Sequence, residues 1–117
     1  MADYATFNTY FYNHLDRMTV QNNQFRKVIA TTPNMQLVLM SLQPGDEIGE
    51  EVHPYATQFI RVEQGDGLAI IEHRQCHFSD GDAIIVPLNT LHNVINTSKT
   101  KPLQLYTLYS PPQHATQ

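Results

Sequence analysis

The run Gly81-Asp82-Ala83-Ile84-Ile85-Val86-Pro87-Leu88-Asn89-Thr90-Leu91-His92-Asn93-Val94-Ile95-Asn96 narrows what this chain can fold into. A short apolar segment of strand length enters a Pro-led turn, and a histidine opens the next apolar run. A second histidine, His53, lies in Glu50-Glu51-Val52-His53-Pro54-Tyr55, again just ahead of a strand-like segment. Two histidines at strand mouths, distant in sequence and joined by hairpins, point to one metal or ligand site inside a β-barrel.

The rest of the chain supports that architecture. Strand-like runs cover 26–30, 35–42, 58–63, 68–72, 75–78, 83–86, 92–96 and 103–109. Between them stand Thr32-Pro33-Asn34, Pro44-Gly45-Asp46, Gln64-Gly65-Asp66-Gly67, His73-Arg74 and Asp80-Gly81-Asp82, most of them rich in the residues that break strands and make turns. About eight short strands at regular spacing indicate an all-β sandwich or barrel. The segment 83–86, unbroken in its apolarity, reads as a strand buried on both faces, with Ile85 in the interior. Along 58–63 the alternation puts Gln58, Ile60 and Val62 on one face and Phe59, Arg61 and Glu63 on the other.

A chain of 117 residues is sufficient for one domain with one core, and about three-quarters of its apolar residues fall between Phe25 and Tyr109. The expected organisation is an N-terminal arm over 1–24, a barrel over 25–110 and a polar tail over 111–117. The arm carries Phe7, Tyr10, Phe11 and Tyr12, and reads either as a short helix near 10–18 that docks by its aromatics or as a mobile arm. Net charge is −4 and the seven basic residues are scattered, which argues against nucleic acid as a partner. No apolar run is long enough to span a membrane. A lone Cys76 and a start without a signal-like segment suggest a cytoplasmic protein.

Gly81, Pro87, Asn89, His92 and Asn96 stand at the spacings of the second motif of the cupin family. Asn89 replaces that motif's second Gly, and Asn tolerates the left-handed conformation Gly supplies. The first cupin motif resembles this chain in part: His53 takes the place of the first His, Tyr55 of the second, and Gln58, six residues before Gly65, of the Glu. The loop before Gln58 is shorter than the family pattern, and Gly45 lies seven residues from His53 rather than five. The resemblance implies a single jelly-roll barrel, a double-stranded β-helix like that of the small mannose-6-phosphate isomerase-like cupins, and a homodimer.

The same resemblance implies that His53, Gln58 and His92 hold a divalent transition metal (Zn, Ni, Fe, Mn or Cu). Tyr55 becomes a doubtful fourth ligand or a catalytic proton donor beside the metal. An uncharged Gln in place of Glu lowers affinity and leaves the ion more Lewis-acidic. Oxygenases of the non-haem iron type use two His and a carboxylate, so the set favours an isomerase or lyase-like enzyme acting on a small sugar-like, hydroxy-carbonyl substrate. A non-catalytic small-molecule-binding domain and a metal-dependent dioxygenase are the alternatives. His14, His73, His77 and His114 read as ordinary surface residues, and Glu50 and Glu51 as a solvated loop that could supply a base. Cys76 and His77 alternate and cannot share a strand face.

Overall fold

The computed structural model describes residues 10–112. One short helix, α1 (Leu15–Gln21), precedes eight strands: β1 (Lys27–Thr31), β2 (Gln36–Leu42), β3 (Thr57–Gln64), β4 (Asp66–Ile71), β5 (Arg74–Ser79), β6 (Ala83–Val86), β7 (His92–Asn96) and β8 (Leu103–Ser110). They form two antiparallel sheets with orders β1-β2-β8-β3-β6 and β5-β4-β7. The segment before β3 extends the smaller sheet beyond β7 through isolated bridges, Glu47 to Ile95 and Glu51 to His92. The jelly-roll expectation holds, and each expected strand is present to within a few residues.

The two sheets close on an interior of Val38, Met40, Leu42, Ile60, Val62, Ala69, Phe78, Val86, Val94, Leu103, Leu105 and Tyr109. Strand β3 alternates as its sequence requires, with Gln58, Ile60 and Val62 buried and Phe59, Arg61 and Glu63 partly exposed. The outer face of the larger sheet is covered over β1, β2 and β8 by α1. There Phe11, Leu15 and Met18 pack on Ile29, Ala30, Leu37 and Leu39. Gln104 ties the covering segment down by donating to the carbonyls of Val20 (2.7 Å) and Asn22 (3.0 Å). The helix begins later than the sequence suggests, and Tyr10 and Tyr12 project into solvent. The first nine residues of the arm and the tail from 113 on, with His114, lie outside the described residues.

One expectation fails. Strand β6 is an edge strand paired only with β3, and Ile85 is 68% exposed. The strand buried on both faces is β2, where every residue is buried because α1 covers the side turned away from the core. A four-residue apolar run carries no periodicity that separates a covered strand from an edge strand, so its neighbours decide.

Two polar residues fix the turns that matter for the site. Asn89 adopts φ +60°, and its N–H reaches the His53 carbonyl at 3.0 Å, joining the two histidine loops. Asn96 is buried; its amide donates to the carbonyls of Leu42 and Lys101, both at 2.9 Å, and accepts from the Ser98 N–H at 2.8 Å. These contacts account for two of the polar positions that mark the second motif.

The corrected burial makes a direct test. Ile85→Asp should leave the barrel folded, because the side chain is exposed on the surface of the single chain. Ile60→Asp places a charge at a fully buried position and should cost more than about 4 kcal/mol, enough to unfold a domain of ordinary stability. Thermal unfolding followed by circular dichroism separates the two.

Candidate metal centre

The site is assembled at one end of the barrel from three chain segments. His92 opens β7, Gln58 stands near the start of β3, and Glu51 and His53 come from the loop before β3. The Glu51 and His92 backbones pair reciprocally, at 2.9 and 3.0 Å. Both side chains therefore fall on one face of the sheet, and the i, i+2 spacing of Glu51 and His53 in an extended segment keeps those two together.

The distances are those of a ligand cluster. His53 Nε2 lies 3.1 Å and His92 Nε2 3.8 Å from Glu51 Oε1. His92 Nε2 is 2.9 Å from Gln58 Oε1, and the two imidazole centroids are 5.2 Å apart. The ligand atoms of Glu51, His53 and His92 all lie within 4.8 Å of one another, close enough to be candidates for holding one ion, and Gln58 Oε1 adjoins His92. Gln58 and His92 are almost wholly buried and His53 nearly so, while the Glu51 side chain keeps 30% of its surface.

Hydrogen bonding sets the polarity of the cluster. His92 Nδ1 faces the Thr90 carbonyl at 2.8 Å and must carry a proton, since a carbonyl only accepts. In neutral imidazole this leaves Nε2 as a lone pair directed at the cluster. Gln58 Nε2 donates to Thr107 Oγ1 at 2.9 Å, which turns Oε1 toward His92. The two acceptors at 2.9 Å repel unless a cation lies against both, or the amide turns over and donates to His92. The Thr107 hydroxyl serves either orientation, because it can accept or donate.

Tyr109 closes the inner side of the site. It is buried, packs edge-on against His53 at 5.6 Å and hydrogen-bonds the Thr107 side chain. Burial, followed by the Glu51 charge, pushes its hydroxyl well above the ordinary tyrosine value, against smaller opposing effects from Arg26 and Thr107. The phenol therefore stays neutral.

Of the residues singled out in the sequence, the structure brings together His53, Gln58 and His92. Tyr55 is 80% exposed and lies outside this hydrogen-bonded cluster. Glu51, expected on a solvated loop, is the addition. Its signal was the Glu-x-His spacing, which in extended chain aims both side chains the same way. Among the other histidines, His77 makes an exposed 3.6 Å contact with Asp66.

A cupin domain family model matches residues 38–109. The chain belongs to the cupin family. It is 44% identical over 110 residues to the uncharacterized YrkC of Bacillus subtilis (strain 168), covering 89% of this chain and 59% of that protein. It is 42% identical over 99 residues to the uncharacterized L612 of Acanthamoeba polyphaga mimivirus, covering 82% and 62%. This cupin thus spans about three-fifths of the length of those relatives. Among solved structures, BH2720 from Bacillus halodurans superposes with TM-score 0.87 at 41% identity, covering 92% of this chain and 86% of that one. KdgF from Halomonas sp. gives TM-score 0.70 at 26% identity, covering 75% and 78%. No helix among the described residues is long and apolar enough to cross a membrane.

The cluster predicts graded losses. Removing the His92 ring should abolish metal retention in His92→Ala while the barrel still folds, since the core strands are untouched. Glu51→Gln should weaken Zn binding at least about tenfold by removing the only charge in the donor set. Tyr55→Phe should leave metal affinity unchanged. Calorimetric titration with Zn, beside melting curves of the metal-free proteins, checks all three.

Proposed function

We propose that this cupin is a metal-dependent enzyme of the isomerase or lyase type, acting on a small sugar-like hydroxy-carbonyl metabolite. The observation that carries the reading is the convergence of four atoms able to ligate a cation at the barrel mouth: His53 Nε2, His92 Nε2, Glu51 Oε1 and Gln58 Oε1. Such a donor set suits Zn, Ni, Fe, Mn or Cu. When bound, the ion would supply Lewis-acid polarisation of a substrate carbonyl or hydroxyl.

The chain's own residues divide the remaining work. Thr90 and Thr107 fix the His92 ring and the Gln58 amide, so the donors need no reorganisation when substrate arrives. Buried Tyr109 and the apolar interior below exclude water from the inner side. Glu51 is the donor with most access to solvent and the group placed to take a proton from bound substrate. Tyr55, on the His53 loop and open to solvent, would meet substrate from outside and orient it or give it a proton.

A second reading has its own support. With Glu51 in the cluster, the residues comprise two histidines and a carboxylate, the set used by non-haem Fe(II) oxygenases. The objection to oxygen chemistry drawn from Gln58 alone no longer applies. Homodimerisation through the outer face of β3 and β6 belongs to the same proposal. Phe59 and Ile85 pair there beside Tyr106, and solution mass by light scattering checks it.

The decisive experiment loads the purified protein with each metal and incubates it with aldoses, ketoses and uronates in deuterated water. Metal-dependent deuterium incorporation at carbon, seen by NMR and lost in His92→Ala, is the expected result. Oxygen uptake by the Fe(II) form would replace it with the oxygenase reading. Tight metal binding with neither activity would overturn both in favour of a non-catalytic binding domain.

A further inference from the structure

One contact in the centre is left mismatched by the bonds around it. His92 Nε2 and Gln58 Oε1 stand 2.9 Å apart, a distance at which one partner must bring a proton or a cation must lie against both. His92 cannot adapt. Its Nδ1–H is held by the Thr90 carbonyl at 2.8 Å, so in the neutral ring Nε2 offers only a lone pair. The neighbouring contact, His53 Nε2 to Glu51 Oε1 at 3.1 Å, needs no adjustment, because an imidazole N–H can donate to the carboxylate.

Gln58 can adapt at almost no steric cost. A half-turn of its amide exchanges Oε1 and Nε2, two groups of similar size, and the terminal torsion has a broad, roughly twofold preference that admits both settings. The side chain is 1% exposed and Thr107, which it meets at 2.9 Å, is fully buried. A buried amide of this kind must find its partners within the protein. The Thr107 hydroxyl serves either setting: it accepts from Nε2 in the one and donates to Oε1 in the other. Its other neighbour, the Tyr109 hydroxyl, can likewise accept or donate, so the reversal carries on to the inner wall of the site.

We propose that Gln58 is a turning ligand, which covers the His92 lone pair until a cation displaces it. With the ion bound, Oε1 faces the ion, Nε2 donates to Thr107, and Thr107 donates to Tyr109. Without it, Nε2 donates to His92 Nε2, Oε1 accepts from Thr107, and Tyr109 donates to Thr107. A carboxylate at this position has no proton to give and could not cover the histidine in this way. The inference rests on the metal-dependent reading above and adds to it what the ligands do before the ion arrives.

The amide oxygen and nitrogen are not separated by diffraction at ordinary resolution, so the test is nuclear magnetic resonance of the full, ¹⁵N-labelled chain. The protein is stripped of metal by chelation at about pH 8, where an ordinary imidazole is neutral, and then titrated with Zn. A scalar coupling across an N–H···N bond between Gln58 and His92 should be present in the stripped protein and vanish as Zn binds. Its absence from the stripped protein, or its persistence with Zn on the histidines, overturns the turning ligand alone. Failure to bind Zn overturns it together with the proposed function. Tyr109→Phe removes an acceptor that Thr107 uses only in the ion-bound setting, and should weaken Zn binding about threefold or more. In a Gln58→Glu background the same change should have no effect, since a carboxylate accepts from Thr107 with or without the ion. No loss in the wild type, or equal losses in both backgrounds, overturns the link to Tyr109.

Discussion

Everything at the mouth of this barrel depends on how His92 is held. Its Nδ1–H is committed to the Thr90 carbonyl one turn away, and Nε2 is pressed against Gln58 at 2.9 Å. A ring pinned at both nitrogens cannot choose its tautomer or its tilt. The loop that pins it is itself fixed by Asn89, whose left-handed backbone delivers an N–H to the carbonyl of His53. A turn at one end of the second motif thus sets the distance between two side chains nearly forty positions apart. The same backbone pairing that seats His92 against residue 51 brings the carboxylate into the cluster.

Burying this much polarity is expensive unless every group has a partner. The chain answers with a directed series: the Gln58 amide donates to Thr107, and Thr107 in turn bonds the Tyr109 hydroxyl. Because Tyr109 stays neutral, no charge accumulates on the inner side of the site. The negative charge sits on Glu51, the member nearest solvent, where its desolvation costs least. The groups that can ligate a cation are thus collected on the outer side of the cluster, with Thr107 and Tyr109 hydrogen-bonded behind it.

Much of the fold was legible because strands announce themselves by alternation and by turn residues, and the β3 pattern of Gln58, Ile60 and Val62 was enough to orient that strand. Asn89 could be read as a left-handed turn from its place in the motif. What could not be read depended on neighbours distant in sequence. Ile85 is exposed because nothing follows β6 in the sheet, and β2 is covered twice because α1 lies on it. Neither fact has a trace in the local sequence. Glu51 was missed for another reason. Loop carboxylates are ordinarily solvated, and only its pairing with His92 distinguishes it from Glu50.

The position of that carboxylate bears on the chemistry. The family pattern puts a glutamate where this chain has Gln58, on a strand and deep in the barrel; here the charge is carried by a loop residue at the rim. A buried strand ligand is rigid and out of a substrate's reach. The Glu51 side chain keeps 30% of its surface while both histidines are buried, so under the proposed function a substrate reaching the centre would meet the carboxylate first. The group that would contribute most charge to an ion is thus also the one an incoming anion would repel most.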